Sequence, residues 1–286
     1  MRKEEEGSLM VHIVTDSNAD LTPELIRELN IAAVASTYVI FGEKSFRSME
    51  LSPAQFHAML KSDPNFPKTS QPSVGDFVEI YERFKGGEVV SIHISRDLSG
   101  TYASAESAAM TMGGDPAVTL VDTRMVSAGM AVLVAEGVRL AKAGAKPAEI
   151  KAHIESLIPR TRMHFVLETL ENLKRGGRIG GAQALIGGVL QMKPILTIKD
   201  GKVEPLERIR TFSKAFARLK EIVMRDLEAS SDPKVFFMHA AAPHLAEEMA
   251  HEVGGRLGIK SPVILEAGPA IATHAGPGAV GVGYIV

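Results

Sequence analysis

The sequence has no cysteine, so disulfides, zinc-thiolate sites and a cysteine nucleophile are all excluded. It also has no long apolar run. The stretch from Met125 to Val134 is interrupted by small and polar residues and falls short of the roughly 18 residues a membrane-spanning helix needs. Neither sign of charge dominates, since 32 Lys and Arg stand against 34 Asp and Glu, a formal net charge of -2. That balance argues against nucleic acid or an anionic membrane surface as the main partner. The first residues, Met-Arg-Lys-Glu-Glu-Glu-Gly-Ser, lack the basic-then-apolar pattern of a secretory signal. They predict a frayed tail on a soluble, cytoplasmic protein with no stable membrane insertion. Repeats and low-complexity tracts are missing as well.

What remains is an ordinary globular composition, 45% hydrophobic and 23% charged. At 286 residues the chain exceeds the usual size of a single core, so two domains are expected. The most informative stretch runs from Glu88 to Met112. Its apolar start, 88–94, reads as a buried strand; Ser95, Ser99, Gly100 and Thr101 form a turn; an Ala-rich helix follows over 101–112. A helix start carries unpaired N–H groups and partial positive charge, so a small anion can sit there without a lysine. Gly100 lets the backbone come close. The plainer reading of Ser99 is a helix cap that accepts from an N–H two or three residues on.

Further strands are expected from Leu9 to Thr15, over 33–40 and over 117–121. Helices are expected from Pro23, from Pro53 to Leu60, from a Ser73 cap to Phe84, from Val126 to Lys142 and from Pro147 to about Ile158. Lys68 to Val74 reads as a loop. This alternation points to a mostly parallel sheet with helices on both faces, where ligands bind beyond the carboxyl ends of strands. Asp16-Ser17, Ser99-Gly100 and Asp122-Thr123 all follow strands and are expected along that edge. From Arg160 the pattern changes. A short strand begins at His164, a helix runs through Leu173 to Arg175, and the flanks of Asp200-Gly201 read as a hairpin. Helices over 212–228 and 243–253 and strands over 234–239, 262–266 and 279–285 complete it. The expected fold class is a two-domain α/β protein: residues 9–160 with a mostly parallel sheet, and 161–286, mixed α/β with an antiparallel hairpin.

Candidate chemistry sits in loops. Thr69-Ser-Gln-Pro-Ser73 is dense in hydroxyls, and Thr273-His-Ala-Gly-Pro-Gly278 joins an imidazole to glycines that can turn amides inward. Ordinary turn chemistry is the alternative for each. Ser99, His274 and Asp16 or Asp122 would make a hydrolytic triad, yet Leu-Ser-Gly-Thr lacks the Gly-x-Ser-x-Gly elbow. Lys174 to Gly181 has neither Walker spacing nor a preceding strand, which leaves Arg178 as a contact for a phosphate or a carboxylate. His244, Glu247, Glu248 and His251 recur at helical spacing without a His-Glu-x-x-His signature, so a wet helix face is expected and no metal. His93, inside its apolar strand, reads as a satisfied core residue.

Taken in order, Val14-Thr-Asp-Ser17, Thr69 to Ser73, Ile94 to Tyr102 and Val121-Asp-Thr123 resemble motifs of the DegV family. So do Leu173 to Ile179, Lys193 to Leu196 with Asp200-Gly201, Arg210-Thr211 and His274 to Gly278, and together they span nearly the whole chain. Asp122-Thr123 departs from the usual Asp-Ser. The resemblance implies a long-chain fatty acid whose tail is buried between the two α/β domains. Its carboxylate would be held by Thr69, Ser99 and His274, with Ser70 and Gly100 supplying backbone N–H groups. It further implies a non-catalytic subunit without a cofactor, in bacterial phospholipid metabolism. Such a subunit presents the carboxylate to a separate ATP-dependent fatty-acid kinase, resembling dihydroxyacetone kinases, that forms an acyl phosphate. Arg178 and Arg210 match arginines that face the kinase. Each buried methylene would contribute about 0.8 kcal/mol, while an uncompensated carboxylate would be costly to bury, so the hydroxyl cluster is needed. The other functions weighed are a standalone Ser/His acyl hydrolase and a lipid reservoir that meets no kinase.

Overall fold

The structure is a computed structural model that describes residues 11–185, 192–228, 230 and 232–286. Leu9, Met10 and the expected N-terminal tail lie outside the described residues. In chain order the first half contains β1 (Val11–Asp16), α1 (Pro23–Leu29), β2 (Ala33–Ala35), β3 (Tyr38–Phe41), β4 (Lys44–Arg47), α2 (Pro53–Ser62), β5 (Lys68–Ser70) and α3 (Val74–Glu82). It continues with β6 (Glu88–His93), α4 (Thr101–Thr111), β7 (Ala117–Asp122), α5 (Ser127–Lys142) and α6 (Pro147–Leu157). The second half contains β8 (Thr161–Val166), α7 (Glu171–Arg175), β9 (Ile195–Lys199), β10 (Lys202–Glu207), α8 (Phe212–Leu227), β11 (Lys234–His239), α9 (Pro243–Arg256), β12 (Val263–Glu266), α10 (Pro269–Ala275) and β13 (Val280–Ile285). None of the described helices is long and apolar enough to cross a membrane.

Local chemistry sets most boundaries. Thr22 caps α1 by accepting from the Leu25 N–H, and Ser52 and Ser73 head capping boxes closed by Gln55 and Asp76. The β9–β10 turn places both Asp200 and Gly201 at positive φ, the conformation an Asp-Gly hairpin demands.

The sheets divide as the pattern predicts. Strands β2-β1-β6-β7 form an all-parallel sheet, and β10-β9-β8-β13-β11-β12 form a mixed one in which only β11 and β12 pair in parallel. A third sheet, β4-β3-β5, is antiparallel. This third sheet corrects two expectations. The single strand over 33–40 is two strands in different sheets, because backbone and hydroxyl bonds at Ser36 and Thr37 draw the chain away. Thr37 N donates to Ser17 Oγ, and Thr37 O accepts from Ser48 N. Lys68 to Ser70, expected as loop, is an edge strand on β3.

Three apolar clusters lie between the layers. One sits between the parallel sheet and α3 and α4, with Phe77, Tyr81 and Ala105; another between the mixed sheet and α8 and α9, with Phe216, Phe237 and Val282. The third joins both halves, from Ile13 and Ile92 through Met130 and Leu133 of α5 to Phe165, Leu196 and Met238. Helix α5 therefore packs on both sheets. Strand β13 shows how: Val280, Val282 and Tyr284 enter the α8–α9 cluster, while Gly283 on the other face leaves room for the backbone of α5 and Gly281 for side chains of β8.

His93 is a satisfied core residue. It has no solvent exposure, and its Nδ1 lies 2.9 Å from Asp16 Oδ2 and its Nε2 2.7 Å from Ser91 Oγ, which in turn pairs with the Tyr81 hydroxyl at 2.9 Å. This chain of bonds pins β1, β6 and α3 beneath the sheet edge.

Candidate functional site

Neighbouring parallel strands β1, β6 and β7 end on one edge, so Asp16, the Ser99 loop and Asp122 do share it. Beyond that edge lies a cavity of about 850 Å³ including its open mouth. Met163, Phe165, Leu167, Ile198, Val203 and Met238 supply its apolar wall from the second half. Polar groups gather in the first-half loops and on α10.

Thr69 and His274 are 205 residues apart in the chain, yet Thr69 Oγ1 lies 2.8 Å from His274 Nε2. Pairing of Val39 with Thr69 sets the first group, and the last turn of α10 carries the second. That helix corrects the loop expected over 273–278, which begins only after Ala275. Gly176 is close to the ring: a Cβ built on it would stand 2.1 Å from His274 Nδ1, so only glycine leaves space for the imidazole.

Burial first, and then the Arg178 charge, push the His274 imidazole down to about 4. The ring is neutral at neutral pH and carries a single N–H. Its Nδ1 is sealed from solvent and has no hydrogen-bond partner among the described residues. If Nε2–H donates to Thr69 Oγ1, the Thr69 hydroxyl proton is released toward the cavity. That arrangement makes a donor for an anion.

Ser70 and Ser99 line the same cavity. Ser99 Oγ accepts from Thr101 N at 3.3 Å and lies 2.8 Å from Thr101 Oγ1, so it does satisfy an N–H two residues on, while Gly100 holds the cap position. Gly100 is exposed and does not line the cavity; Gln71 does, its side chain lying 3.0 Å from where a Gly100 Cβ would stand. Ser95 turns away from the site and donates to Gly201 O at 2.8 Å, locking the loop to the β9–β10 hairpin. Arg178 lines the cavity as well as an outer cleft; it braces the Ser99 loop by donating to Leu98 O at 3.2 Å and holds its own turn by donating to Gly176 O at 2.7 Å. Arg210 is exposed beside the start of α8 and outside the cavity wall.

The hydrolytic triad is not assembled. Asp16 is bonded to His93, Asp122 accepts from Arg96 and from the Arg124 N–H, and no described carboxylate reaches His274 Nδ1. On α9, Glu248 and Glu252 are both held by Lys220, and no metal-holding cluster occurs among the described residues. Sequence reading did not single out Asn18, Ser127 or Gln71, all of which line the cavity. Only Gln71 carried a signal, inside the Thr69 to Ser73 run.

A family model described as an uncharacterised protein of the DegV family matches residues 10–286. A DegV domain-containing protein of Halalkalibacterium halodurans is 39% identical over 280 residues, covering 96% of this chain and 98% of the relative. The fatty-acid-binding DegV family protein of Thermus thermophilus has a TM-score of 0.88 at 33% identity, with 97% of this chain and 99% of that one covered. A stearic-acid-binding protein of Eubacterium ventriosum gives 0.86 at 25% identity, covering 96% and 98%. With the family model and these full-length relatives matching from one end of the fold to the other, the chain belongs to the DegV family.

Proposed function

We propose that this protein binds a long-chain fatty acid, with its tail among the apolar side chains between a first domain ending at Arg160 and a second beginning at Thr161. The carboxylate is held at Thr69, Ser99 and His274, with Ser70 beside them. The observation that carries this reading is the Thr69–His274 pair at 2.8 Å, polar and incompletely bonded, at the rim of an otherwise apolar cavity. A chain that is greasy along its length and anionic at one end matches that arrangement. The tail supplies most of the affinity and the hydrogen bonds at the head fix its direction. The fatty-acid-binding relatives support the same ligand class. Gly100, exposed and replaced at the wall by Gln71, contributes a backbone turn to the head site rather than a wall.

The protein presents this carboxylate to a separate kinase subunit. An outer cleft shares Thr69, Arg178 and His274 with the cavity and adds Lys68 and Arg175, whose guanidinium stacks 4.0 Å above the Phe66 ring. This basic approach to the head group suits the arrival of a phosphoryl donor held by a partner. Arg178 stands in that cleft and exposed Arg210 lies outside it.

The binding reading is tested by delipidating the purified protein and titrating it with stearate. Wild type should rebind it, and Thr69→Val should weaken binding by about ten- to a hundredfold, since a hydrogen bond to a charged group contributes about 1.5–3 kcal/mol. A delipidated protein that takes up no fatty acid, by titration or by native mass spectrometry, would end it. Presentation is tested separately with a dihydroxyacetone-kinase-like subunit and ATP. Arg210→Ala should leave stearate affinity unchanged and slow acyl-phosphate formation by at least tenfold; wild-type turnover would remove Arg210 from the docking surface.

A further inference from the structure

Away from the head group the cavity wall carries a second polar station that a plain hydrocarbon tail would leave unmatched. Asn18 and Ser127 both line the cavity, with relative exposures of 4% and 1%. The Asn18 amide is oriented by its neighbour: Nδ2 donates to Asp16 Oδ1 at 2.7 Å and the Asn18 backbone N–H to the same oxygen at 3.0 Å. That leaves Asn18 Oδ1 facing away from Asp16, with no hydrogen-bond partner among the described residues. Asn18 lines the cavity, so this oxygen is the part of its amide left for a ligand. Ser127 Oγ lies 2.6 Å from Asp20 Oδ2 and is engaged by that carboxyl. Asn18 Oδ1, which can only accept, is therefore the acceptor of the station, with the Ser127–Asp20 pair beside it.

Their position along the ligand follows from α10. Asp20, the partner of Ser127, also accepts from Gly268 N at 2.9 Å, the residue that caps the start of that helix. His274 stands at the other end. Ala270, Ile271, His274 and Ala275 all line the cavity, which places one face of α10 lengthwise along it. Six residues of helix at about 1.5 Å each set Gly268, and with it the Asp20–Ser127 pair, about 9 Å from His274. A chain whose carboxylate sits at His274 passes the Asn18–Ser127 station partway along its tail.

We infer that this station recognises a hydroxyl on the tail, so that the favoured ligands are long-chain fatty acids hydroxylated in mid-chain. The inference rests on the fatty-acid reading above. A hydroxyl donates to Asn18 Oδ1, whereas a methylene leaves that buried oxygen unpaired and a ketone, which only accepts, sets oxygen against oxygen. Hydroxyl and keto tails of equal length and nearly equal shape are thereby told apart by the direction of one hydrogen bond.

The test compares stearate, a positional series of hydroxystearates and the matching oxostearates on the delipidated full chain by competition titration. One mid-chain hydroxyl position should bind about tenfold more tightly than its oxo counterpart, a difference of about 1.4 kcal/mol. Moving the hydroxyl toward either end should erase the advantage. In Asn18→Leu the hydroxy-to-oxo ratio should collapse toward one. The wild-type ratio needs no variant and decides the matter even if Asn18→Leu does not fold. Equal affinities across the series, a preference for the oxo acids, or a preference that survives Asn18→Leu would overturn the assignment and leave the fatty-acid reading standing. Failure of every acid to bind, stearate included, would instead fall on that reading.

Discussion

Replacing Gly283 by alanine is expected to lower the unfolding free energy by about 3 kcal/mol or more, a fall in Tm on the order of 5–10 °C. The added Cβ would stand 2.2 Å from the backbone carbon of Ala128 and from the backbone nitrogen of Gly129. A clash with a flexible side chain relaxes by a rotamer change; a clash with backbone atoms in the first turn of a buried helix requires the helix to move. Helix α5 is the layer shared by the parallel and mixed sheets, so moving it disturbs the apolar cluster that joins both halves. It also shifts Val126 and Ser127 in the cavity wall. Gly255 provides the contrast. It lies inside α9 with nothing within 4 Å of an added Cβ, so Gly255→Ala should stabilise by up to about 1 kcal/mol through helix propensity alone. Thermal or urea unfolding of the two variants should move in opposite directions. Loss of less than about 1 kcal/mol in Gly283→Ala would show that α5 is not held against β13 as described.

These two glycines show where the sequence is legible and where it is not. The alternation Val280-Gly-Val-Gly-Tyr284 reads as a strand from its period, and the strand is there. That its small residues accommodate a helix from the other half is a long-range fact, visible only once α5 is placed. Helix starts were legible because capping is local: Thr22, Ser52, Ser73 and Thr211 each accept from a backbone N–H three residues on. The break between β2 and β3 was not, since Ala33 to Ile40 holds no glycine, proline or charge to mark it and only distant partners at Ser17 and Ser48 divide it. At the candidate site, Thr69, Ser70, Ser99 and His274 stood out by residue type, and the fold gathers them around one cavity. Asn18 and Ser127 look like routine turn and helix-start residues in the sequence. Asn18 is oriented by Asp16, and the place of Ser127 in the wall depends on Asp20, whose contacts reach residues 107 and 248 positions away.

Asp20 leads to the second large effect, a stability that depends on pH through one buried acid. Its carboxyl is 6% exposed, and burial pushes it up from an ordinary 3.8 to about 7, outweighing the bonds from Ser127 Oγ and Gly268 N that favour the charged form. The folded state therefore holds this proton more tightly than the unfolded chain does. Stability from Asp20 is complete below the unfolded value and is lost as pH rises toward 7, at about 1.4 kcal/mol per pH unit. The buried histidines act in the opposite sense. His164 and His274 are both held down to about 4, chiefly by burial, so their stabilising neutral forms are complete above the ordinary 6.5 and lost as pH falls toward 4. The profile of the wild type sums opposed terms, and only a difference isolates Asp20. Asp20→Asn mimics the protonated acid, keeping an oxygen for Gly268 N and offering an N–H to Ser127 Oγ. Its stability advantage over wild type should grow by on the order of 3 kcal/mol between pH 5 and pH 8, as read from urea unfolding at each pH. A gap that does not change with pH, or an Asp20 carboxyl that titrates near 4 by NMR in the folded protein, would contradict this. The same carboxyl anchors the start of α10, the helix that carries His274, so ionisation should be felt at the Thr69–His274 pair. Wild-type His274 ring signals should shift as pH crosses 7, well above the imidazole's own transition, and that step should be absent in Asp20→Asn.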